Sequence, residues 1–544
     1  MPPAAKPSPV PSASTRLDRI TLAAIGVGGL ATVLAVVPYK AFELDRFFVP
    51  KEMWLHATAM VAGVVALARA RRLAITRADL LLVSWLGLSV LAALFAGNHW
   101  LAERGLAISL SAAVVYWSAR QLAAADLGDR LVQVLAGVVV LGALTALAQA
   151  YGLKLEFASL NRAPGGTFGN RNFMAHLSAV GIPLLLYGVA ASRSWLGAGL
   201  LSAGLAICAG ALVLSRTRAA WLALMIWGVL ALVLASRGPT LLVGKAAKRR
   251  WEVAFATMLA AMTLALLLPN ALDWKSDNPY LDSVKGVMNY HDGSGRGRLK
   301  QYQHSLTMSV SHPLFGVGPG NWPVVYPRYA PAGDPSLVED TGMTANPWPS
   351  SDWVAALSER GPLAALTLAG VVVLLLGTAL RMRFNVDATS AERLAALTGA
   401  GVLVIAVLEG ALDAVLLLPA PALVVWAAVG AIVPAGPVVR RIELTKPLRR
   451  ALQGLVIVGG LAFVVLSERK IQAMNTYTNG GTTAALDEAA RLDPGSYRIQ
   501  MRAADAWLGR GICSKARPHA LAARNLFPNA PAPKRLLAQC PDRE

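Results

Sequence analysis

Charge is scarce in this sequence. Charged residues make up 15% of its 544 positions, hydrophobic residues make up 55%, and the mean hydropathy is +0.50. Because so few charged side chains cannot cover a globule in water, the composition excludes a soluble globular protein. Cysteine is also rare, and the three cysteines have no spacing typical of a metal site, so no metal or other cofactor is expected.

Long apolar runs, in contrast, are abundant. A membrane-spanning helix needs about 20 mostly apolar residues. About 13 such stretches are centred near residues 29, 61, 87, 109, 141, 182, 204, 227, 260, 367, 403, 425 and 459. They predict an all-α polytopic membrane protein with about 12–13 transmembrane helices, surrounded by membrane lipids. Residues 1–17, rich in proline and serine, predict a disordered N-terminus, and residues 18–466 form the predicted membrane body.

Basic residues predict the orientation of these helices. Lysine and arginine concentrate in alternate connections, at residues 69–77, 245–252, 381–383 and 440–450. Basic residues in short loops are retained on the cytoplasmic side. The N-terminus is therefore expected in the cytoplasm, whereas the large loop, residues 268–353, and the C-terminus are expected on the outer face. This anchoring also accounts for the net charge of +20, so no nucleic-acid partner is expected.

The tail, residues 467–544, differs in composition from the membrane body. Pro494 and Pro528 each follow a predicted helix and lie 34 residues apart, the period of a tetratricopeptide repeat. About one and a half repeats cannot bury a core alone. We therefore expect the tail to pack on the large loop or to bind a partner. Cys513 and Cys540 lie in the tail, where an oxidising outer compartment favours a disulfide, whereas Cys208 lies in an apolar helix.

Arginines on the outer face need another explanation than cytoplasmic retention. They form three groups, one at a short turn, one before a predicted loop helix and one around a glycine-rich turn: Arg216 and Arg218, Arg296 and Arg298, and Arg162 and Arg171. Guanidinium groups bind phosphate bidentately. The groups predict binding of a diphosphate at the depth of lipid headgroups. The alternative is that they reach to headgroups or pair with acidic loop residues.

Two further features leave alternatives open. The segment HPLFGVGPGNW, residues 312–322, has three glycines that allow close approach to a ligand or to another loop, or that form a tight turn. Glu409 and Asp413 lie four residues apart on one helix face. This acidic pair is expected to orient an arginine or to bind a sugar hydroxyl, unless it solvates the helix end.

The motifs GTFGNRNF, LSRTRAAWL, GRLKQYQHSL, HPLFGVGPGNW and SDWVAALSERG occur in this order. Over roughly residues 40–435 the chain resembles the O-antigen ligase and O-antigen polymerase superfamily of bacterial inner-membrane glycosyltransferases. The resemblance implies a GT-C-like fold that transfers a glycan from undecaprenyl diphosphate, at the periplasmic face and without a metal or nucleotide sugar, to a hydroxyl of a glycan, of lipid A core or of a protein. It implies that Arg216 or Arg218, and Arg298, bind the diphosphate. Several members of the family also have tetratricopeptide-like tails.

One motif departs from the family. Relatives end the loop with a histidine-asparagine pair before a run similar to leucine-alanine-glutamate-leucine-glycine, but Ser350 and Ser351 occupy the pair's positions here. Arginines that stabilise the leaving diphosphate can supply most of the catalysis. The proton acceptor is then Asp352, or Glu339 or Asp340. Alternatively His291 reaches in from elsewhere in the loop, Ser350 contributes at the histidine's position, or the protein binds the glycan without transferring it.

Two other functional classes compete with transfer. A transporter or flippase for lipid-linked glycans also needs many helices and interfacial arginines, but no internal repeat with charges near the bilayer midplane is present. A non-catalytic scaffold would use the tail to recruit envelope-polysaccharide assembly proteins. The tail also favours an enzyme that works within such a partner complex.

Overall fold

The computed structural model describes residues 15–153, 164–274, 276–286, 293–338 and 341–541. The molecule is 75% helical, which confirms the all-α membrane class. Nine helices of the described chain precede the large loop, and each lies on one of the predicted apolar stretches: α1 Arg16–Leu34, α2 Asp45–Arg69, α3 Arg77–Leu94, α4 His99–Ala123, α5 Gly128–Ala150, α6 Arg171–Ala191, α7 Trp195–Ser215, α8 Arg218–Arg237 and α9 Lys245–Leu267.

Short helices follow in the large loop, and the membrane body then resumes. The loop helices are α10 Pro279–Lys285, α11 Gly293–Ser311, α12 Trp322–Val325 and α13 Asp352–Arg360. The later body helices are α14 Pro362–Phe384, α15 Ser390–Leu412, α16 Pro419–Ile432 and α17 Lys446–Asn479. The tail adds α18 Thr483–Leu492, α19 Tyr497–Leu508, α20 Cys513–Leu526 and α21 Pro531–Gln539.

Among the described residues, ten helices are long and apolar enough to cross a membrane. The predicted count is higher because α2 and α4, each 25 residues long, contain charged residues that lower their hydropathy. Glu52 of α2 and Arg104 of α4 form an ion pair of 2.8 Å, so this charge is neutralised between the two helices. The third helix outside the ten, α16, has 14 residues, every one of them buried.

The basic connections meet at one end of the helix bundle. Strand β1, Arg72–Thr76, pairs antiparallel with strand β2, Val438–Glu443. At the same end, the buried guanidinium of Arg383 donates hydrogen bonds to backbone carbonyls of residues 234, 235 and 239. Helices that alternate in direction then place the large loop and the tail at the opposite end. The orientation of these two ends across the membrane stays a prediction.

Capping boxes fix several helix starts at the basic end. The side chain of Thr76 accepts from the backbone N–H of Asp79, and the Asp79 carboxylate accepts from the backbone N–H of Thr76. Asp79 also forms an ion pair with Arg120 of α4. The same box begins α1 and α15, with Thr15 and Asp18, and with Thr389 and Glu392. A local sequence signal therefore defines each start, and the acid of the box can also join two helices.

The glycine-rich segment 312–322 forms a turn against neighbouring protein. Gly316, Gly318 and Gly320 all have positive φ, which favours glycine. The N–H groups of Val317 and Gly318 donate to the carbonyls of residues 358 and 359, at 3.0 and 2.8 Å. A Cβ on Gly318 would lie 2.4 Å from the Cβ of Ala96. The sequence left open whether these glycines form a tight turn or approach a ligand or another loop. In the structure they form a tight turn that lies close to other segments of the chain.

The tail packs on the large loop and on the segment before α4, which is one of the two alternatives predicted from the sequence. Asn529 donates from Nδ2 to the carbonyl of Val324 at 2.9 Å, and Asn98, which precedes α4, donates to the carbonyl of Leu526 at 3.2 Å. Cys513 and Cys540 form the expected disulfide, and Cys208 is buried in α7. The assignment of the tail to tetratricopeptide repeats stays a prediction.

We predict that Gly361→Ala lowers the stability of the folded protein. Gly361 has φ +83° and ψ 166°, and an added Cβ would lie 2.3 Å from the carbonyl oxygen of Leu314. A non-glycine residue in this backbone region costs about 1–3 kcal/mol. The melting temperature of the purified protein in detergent is the measurement. Gly377→Ala is the matched control, since a Cβ on this glycine of α14 meets no atom within 4 Å; equal melting temperatures for the two variants would contradict the analysis.

Candidate active site

Three of the predicted arginines lie at the ends of neighbouring helices, at the end of the bundle opposite the basic connections. Arg171 is the first residue of α6 and Arg218 is the first residue of α8. Only Arg216 and Thr217 connect α7 to α8, and Arg216 makes this reversal with a left-handed backbone, at φ 55°. The short connection keeps both of its arginines at the end of the bundle, as the sequence predicts.

A tryptophan of the large loop brings two of these arginines together. The guanidinium carbon of Arg216 lies 4.5 Å from the ring centroid of Trp274, and that of Arg171 lies 5.4 Å from the same ring. Attraction between a cation and an aromatic ring holds charge at such distances without neutralising it. The guanidinium groups of Arg171 and Arg216 therefore both lie against one uncharged ring.

The segment after Trp274 holds the α7–α8 turn by hydrogen bonds. Arg216 donates from Nε to the Ser283 hydroxyl of α10 at 2.9 Å, and Arg218 donates from Nη1 to the carbonyl of Gly286. For Arg216 these contacts use only part of the donor capacity, since a guanidinium group has five N–H donors. They orient the side chains and leave the positive charges in place.

The cluster of Arg171, Arg216 and Arg218 brings three guanidinium groups together. Within the described ranges, neither Arg171 nor Arg216 forms an ion pair with a carboxylate. Burial lowers the pKa of Arg216; Tyr280 and Asp282 oppose this shift, and the charge of Arg218 adds to it. Arginine side chains keep their charge at neutral pH. An anion with several oxygen atoms would relieve the repulsion between the guanidinium groups and accept hydrogen bonds from their remaining N–H groups.

Arg298 approaches the site from the large loop. Its Nη2 lies 3.6 Å from Oδ2 of Asp413, directly after α15. Arg296 is exposed, and two residues along a helix correspond to about 200° of rotation, so it lies on the opposite face of α11. Of the predicted pair Arg296 and Arg298, only Arg298 therefore lies near Asp413, and Arg296 stays at the surface.

Asp413 connects Arg298 to the other arginines. Its Oδ2 accepts a hydrogen bond from Nδ2 of Asn172 at 2.9 Å and lies 3.4 Å from Nε2 of His176. The Oδ1 of Asn172 in turn accepts from the hydroxyl of Thr217 at 3.2 Å. Asn172 follows Arg171, and Thr217 lies between Arg216 and Arg218. The network of Asp413, Asn172 and Thr217 therefore fixes the relative positions of all four arginines.

A fully buried histidine completes the network. Nδ1 of His176 lies 3.2 Å from Oε1 of Glu409, and both side chains have no exposed surface. Solvation of the helix end, one alternative for Glu409 and Asp413, is therefore wrong, because both carboxylates are buried. The other reading, orientation of an arginine, is confirmed by the contact between Asp413 and Arg298. Binding of a sugar hydroxyl stays a prediction.

Sequence reasoning did not identify His176. The residue lies in an apolar run and outside the position where relatives of the family have their histidine. A signal was nevertheless present: an ionisable residue inside a membrane-spanning stretch usually has a buried partner or a functional role.

Asp352 begins α13 and anchors this helix to the body. Its two carboxylate oxygens accept hydrogen bonds from the backbone N–H groups of Val415, Leu416 and Leu417, at 2.9–3.3 Å. Burial raises the pKa of Asp352 to about 7, although these three N–H groups act in the opposite direction. Such a pKa suits a general base at neutral pH, but the oxygens already have partners. A catalytic role for Asp352 stays a prediction.

The other predicted proton acceptors differ in their surroundings. Ser350 donates its backbone N–H to Oε1 of Gln301 at 2.7 Å, and its carbonyl accepts from the hydroxyl of Tyr302 at 2.6 Å. The backbone of Ser350 thus joins the loop end to α11. His291, Glu339, Asp340 and also Arg162 lie outside the described residues.

Residues 203–347 match the family model described as O-Antigen ligase. This match confirms the resemblance to the O-antigen ligase and polymerase superfamily. The matched segment contains Arg216, Arg218 and Arg298, whereas Arg171 and Asp413 lie beyond its ends. It supports an enzyme of the glycan-transferring ligase or polymerase type within a multi-pass membrane protein. No curated protein is significantly similar in sequence to this chain.

We predict that Asp352→Asn flattens the pH dependence of stability. The pKa of this carboxyl rises from its ordinary 3.8 to about 7 on folding. Between these values the folded protein holds a proton that the unfolded chain has released, so the free energy of unfolding falls as pH rises. The amide does not titrate, so this decrease should be smaller in the variant. Melting temperatures in detergent at about pH 5 and about pH 8 test this; an unchanged difference between them would contradict it.

Proposed function

We propose that the protein transfers a glycan from undecaprenyl diphosphate to a hydroxyl acceptor at the periplasmic face of the bacterial inner membrane. The observation that supports this most strongly is the cluster of Arg171, Arg216 and Arg218 at one helix end, with Arg298 connected to it through Asp413. A diphosphate has several negatively charged oxygens, and four guanidinium groups provide matching donors.

The position of the cluster suits a lipid-linked donor. The three helix ends lie where apolar spans meet the large loop, so a diphosphate there would keep its polyprenyl chain beside lipid-facing helices. Val229 of α8 and Leu259 of α9 are examples of exposed apolar side chains on these helices. The glycan would extend from the diphosphate toward the loop and the tail.

The proposed transfer is a substitution at the sugar's anomeric carbon. The acceptor hydroxyl oxygen attacks this carbon, and the bond between the carbon and the diphosphate oxygen breaks. Its electron pair stays with the diphosphate, and the hydroxyl proton passes to a base. Because negative charge develops on the leaving diphosphate, fixed guanidinium groups stabilise the transition state more than the bound donor. Asp413 acts here as a positioning residue for Arg298.

The base has a smaller part in this scheme, because a diphosphate is a good leaving group. Asp352 has a pKa near the working pH, which favours proton transfer. Its backbone partners would have to yield one oxygen for this purpose. Glu339, Asp340, His291 and Ser350 are the other candidates, and substitution of each in the assay below would separate them.

We predict that Arg298→Ala and Arg216→Ala each lower the rate of glycan transfer by a factor of about 10²–10³, because one preorganised charge stabiliser is lost. The measurement uses purified protein reconstituted with undecaprenyl-diphosphate-linked glycan, followed by gel separation of the products. Arg502→Ala, which removes an exposed arginine of the tail, is the matched control and should keep the parent's rate. Parent-like turnover by Arg298→Ala would refute the assigned diphosphate site.

The same reconstitution would identify the acceptor. A ladder of products from donor alone would indicate a polymerase, and a product that requires lipid A core would indicate a ligase. A product attached to added protein would indicate protein glycosylation. Movement of intact donor across the vesicle membrane without any product would contradict transfer and favour the transporter class.

A further inference from the structure

Helix α11 of the large loop exposes apolar side chains and buries polar ones. Leu299, Leu306 and Val310 are exposed, and Val310 is 79% exposed. At about 100° per residue, these three side chains lie within an arc of about 40° on one face of the helix. Gln301 and Ser305 are buried on the other side. A loop helix surrounded by water has the opposite distribution, with its apolar side toward the protein and its polar side toward the solvent.

Hydrogen bonds to the rest of the loop fix the rotation of α11 about its axis. Oε1 of Gln301 accepts from the backbone N–H of Ser350 at 2.7 Å, and Oγ of Ser305 accepts from Nε1 of Trp322 at 2.9 Å. Because the polar side is held by these partners, the apolar side cannot turn inward. The exposed leucines and valine therefore belong to the folded state and need an apolar surrounding outside the chain.

The N-terminal half of α11 lies on the end of a membrane-spanning helix. The hydroxyl of Tyr302 donates to the carbonyl of Ala411, in the last turn of α15, at 3.1 Å. Arg298, one turn earlier, lies beside Asp413, directly after α15. Helix α15 is one of the ten helices long and apolar enough to cross a membrane, and such helices end near the lipid head groups. This part of α11 is therefore close to head-group depth.

The apolar face of α11 continues onto the surface of the membrane body. Leu314, just after α11, is 73% exposed, and its carbonyl oxygen lies 2.3 Å from the position of a Cβ on Gly361, which precedes α14. The ring of Phe315 stacks on the ring of Phe95, directly after α3, at 5.1 Å between centroids. Phe95 and Leu363, in the first turn of α14, are also exposed. Both α3 and α14 are long and apolar enough to span the membrane, so their exposed apolar surface faces lipid.

An arginine borders this apolar face. Arg296 is exposed and lies three residues before Leu299, so the two side chains are neighbours on the helix surface. Gln303, Thr307 and Ser311, which are exposed farther along α11, are uncharged. A helix with an apolar face and a basic border is typical of helices that lie in the membrane interface, where the long arginine side chain reaches the lipid phosphates.

We propose that this face of α11 lies in the interface of the bilayer, on the side of the large loop. Leu306, Val310 and Leu314 insert among the lipid head groups, and the guanidinium of Arg296 binds lipid phosphate. The continuity with α3 and α14 favours lipid over a protein partner as the occupant. The proposal does not rest on glycan transfer. Since Arg298 is on the same helix, contact of α11 with lipid would also hold this arginine at head-group depth.

The test measures the surroundings of a nitroxide label on α11 in the full-length protein, reconstituted into nanodiscs of phosphatidylethanolamine and phosphatidylglycerol. Val310→Cys and Leu306→Cys provide the attachment sites, since the native cysteines are buried or joined in a disulfide. Electron paramagnetic resonance gives the collision rates of the label with oxygen, which concentrates in lipid, and with a water-soluble nickel chelate. At both positions we expect the oxygen rate to exceed the nickel rate. Arg502→Cys, in the exposed part of the tail, is the matched control and should show the reverse order.

Two results at the Val310 and Leu306 positions would overturn the proposal. A nickel rate above the oxygen rate would place this face in water. Low rates for both reagents would mean that protein covers the face, either a second copy or another segment of the chain. Arg296→Glu tests the contact with lipid phosphate. Because the carboxylate is repelled by phosphate, the oxygen rate of the Val310 label should fall, and an unchanged rate would refute the assigned role of Arg296.

Discussion

The arrangement of the outer site depends on the buried carboxylate of Asp413. Its Oδ2 is the meeting point of Asn172 on α6, His176 on the same helix and Arg298 on the loop helix α11. Removing a carboxylate from water costs several kcal/mol unless strong partners replace the lost hydration. Asn172 donates a hydrogen bond to this oxygen, and nitrogen atoms of His176 and Arg298 lie 3.4 and 3.6 Å from it. The solvation of this one anion therefore helps to hold the loop helix α11 against the helix bundle.

Other acids of the outer loop act through backbone N–H groups. Asp352 holds the connection between α15 and α16, and Glu359 holds the glycine-rich turn before α12. A loop with few regular hydrogen bonds needs such acceptors, because buried backbone donors must be paired. The nine-residue helix α13 thus has an anchor near each end. The segment SDWVAALSERG therefore joins the glycine-rich turn to the connection between α15 and α16.

The helices of the membrane body were predictable because their signal is local composition, which the surrounding protein does not change. The site was only partly predictable. Arg216 and Arg218 were found because outer-face arginines are unusual, but the shared contact of Arg171 and Arg216 with Trp274 depends on the path of the loop. His176 was missed because its partners lie more than 200 residues later in the chain. The burial of Glu409 and the pairing of β1 with β2 also arise from tertiary packing alone.

Helix α17 joins the membrane body to the tail without interruption over 34 residues. At 1.5 Å per residue this helix is about 50 Å long, longer than the hydrocarbon core of a bilayer, which is about 30 Å thick. The C-terminal part of this helix therefore extends beyond the hydrocarbon core and carries the tail. An apolar helix adjusts to a thinner bilayer by tilting. Any such tilt of α17 would displace its C-terminal end sideways. The hydrogen bonds of Asn529 and Asn98 join the tail, at the far end of this helix, to the loops beside the membrane body.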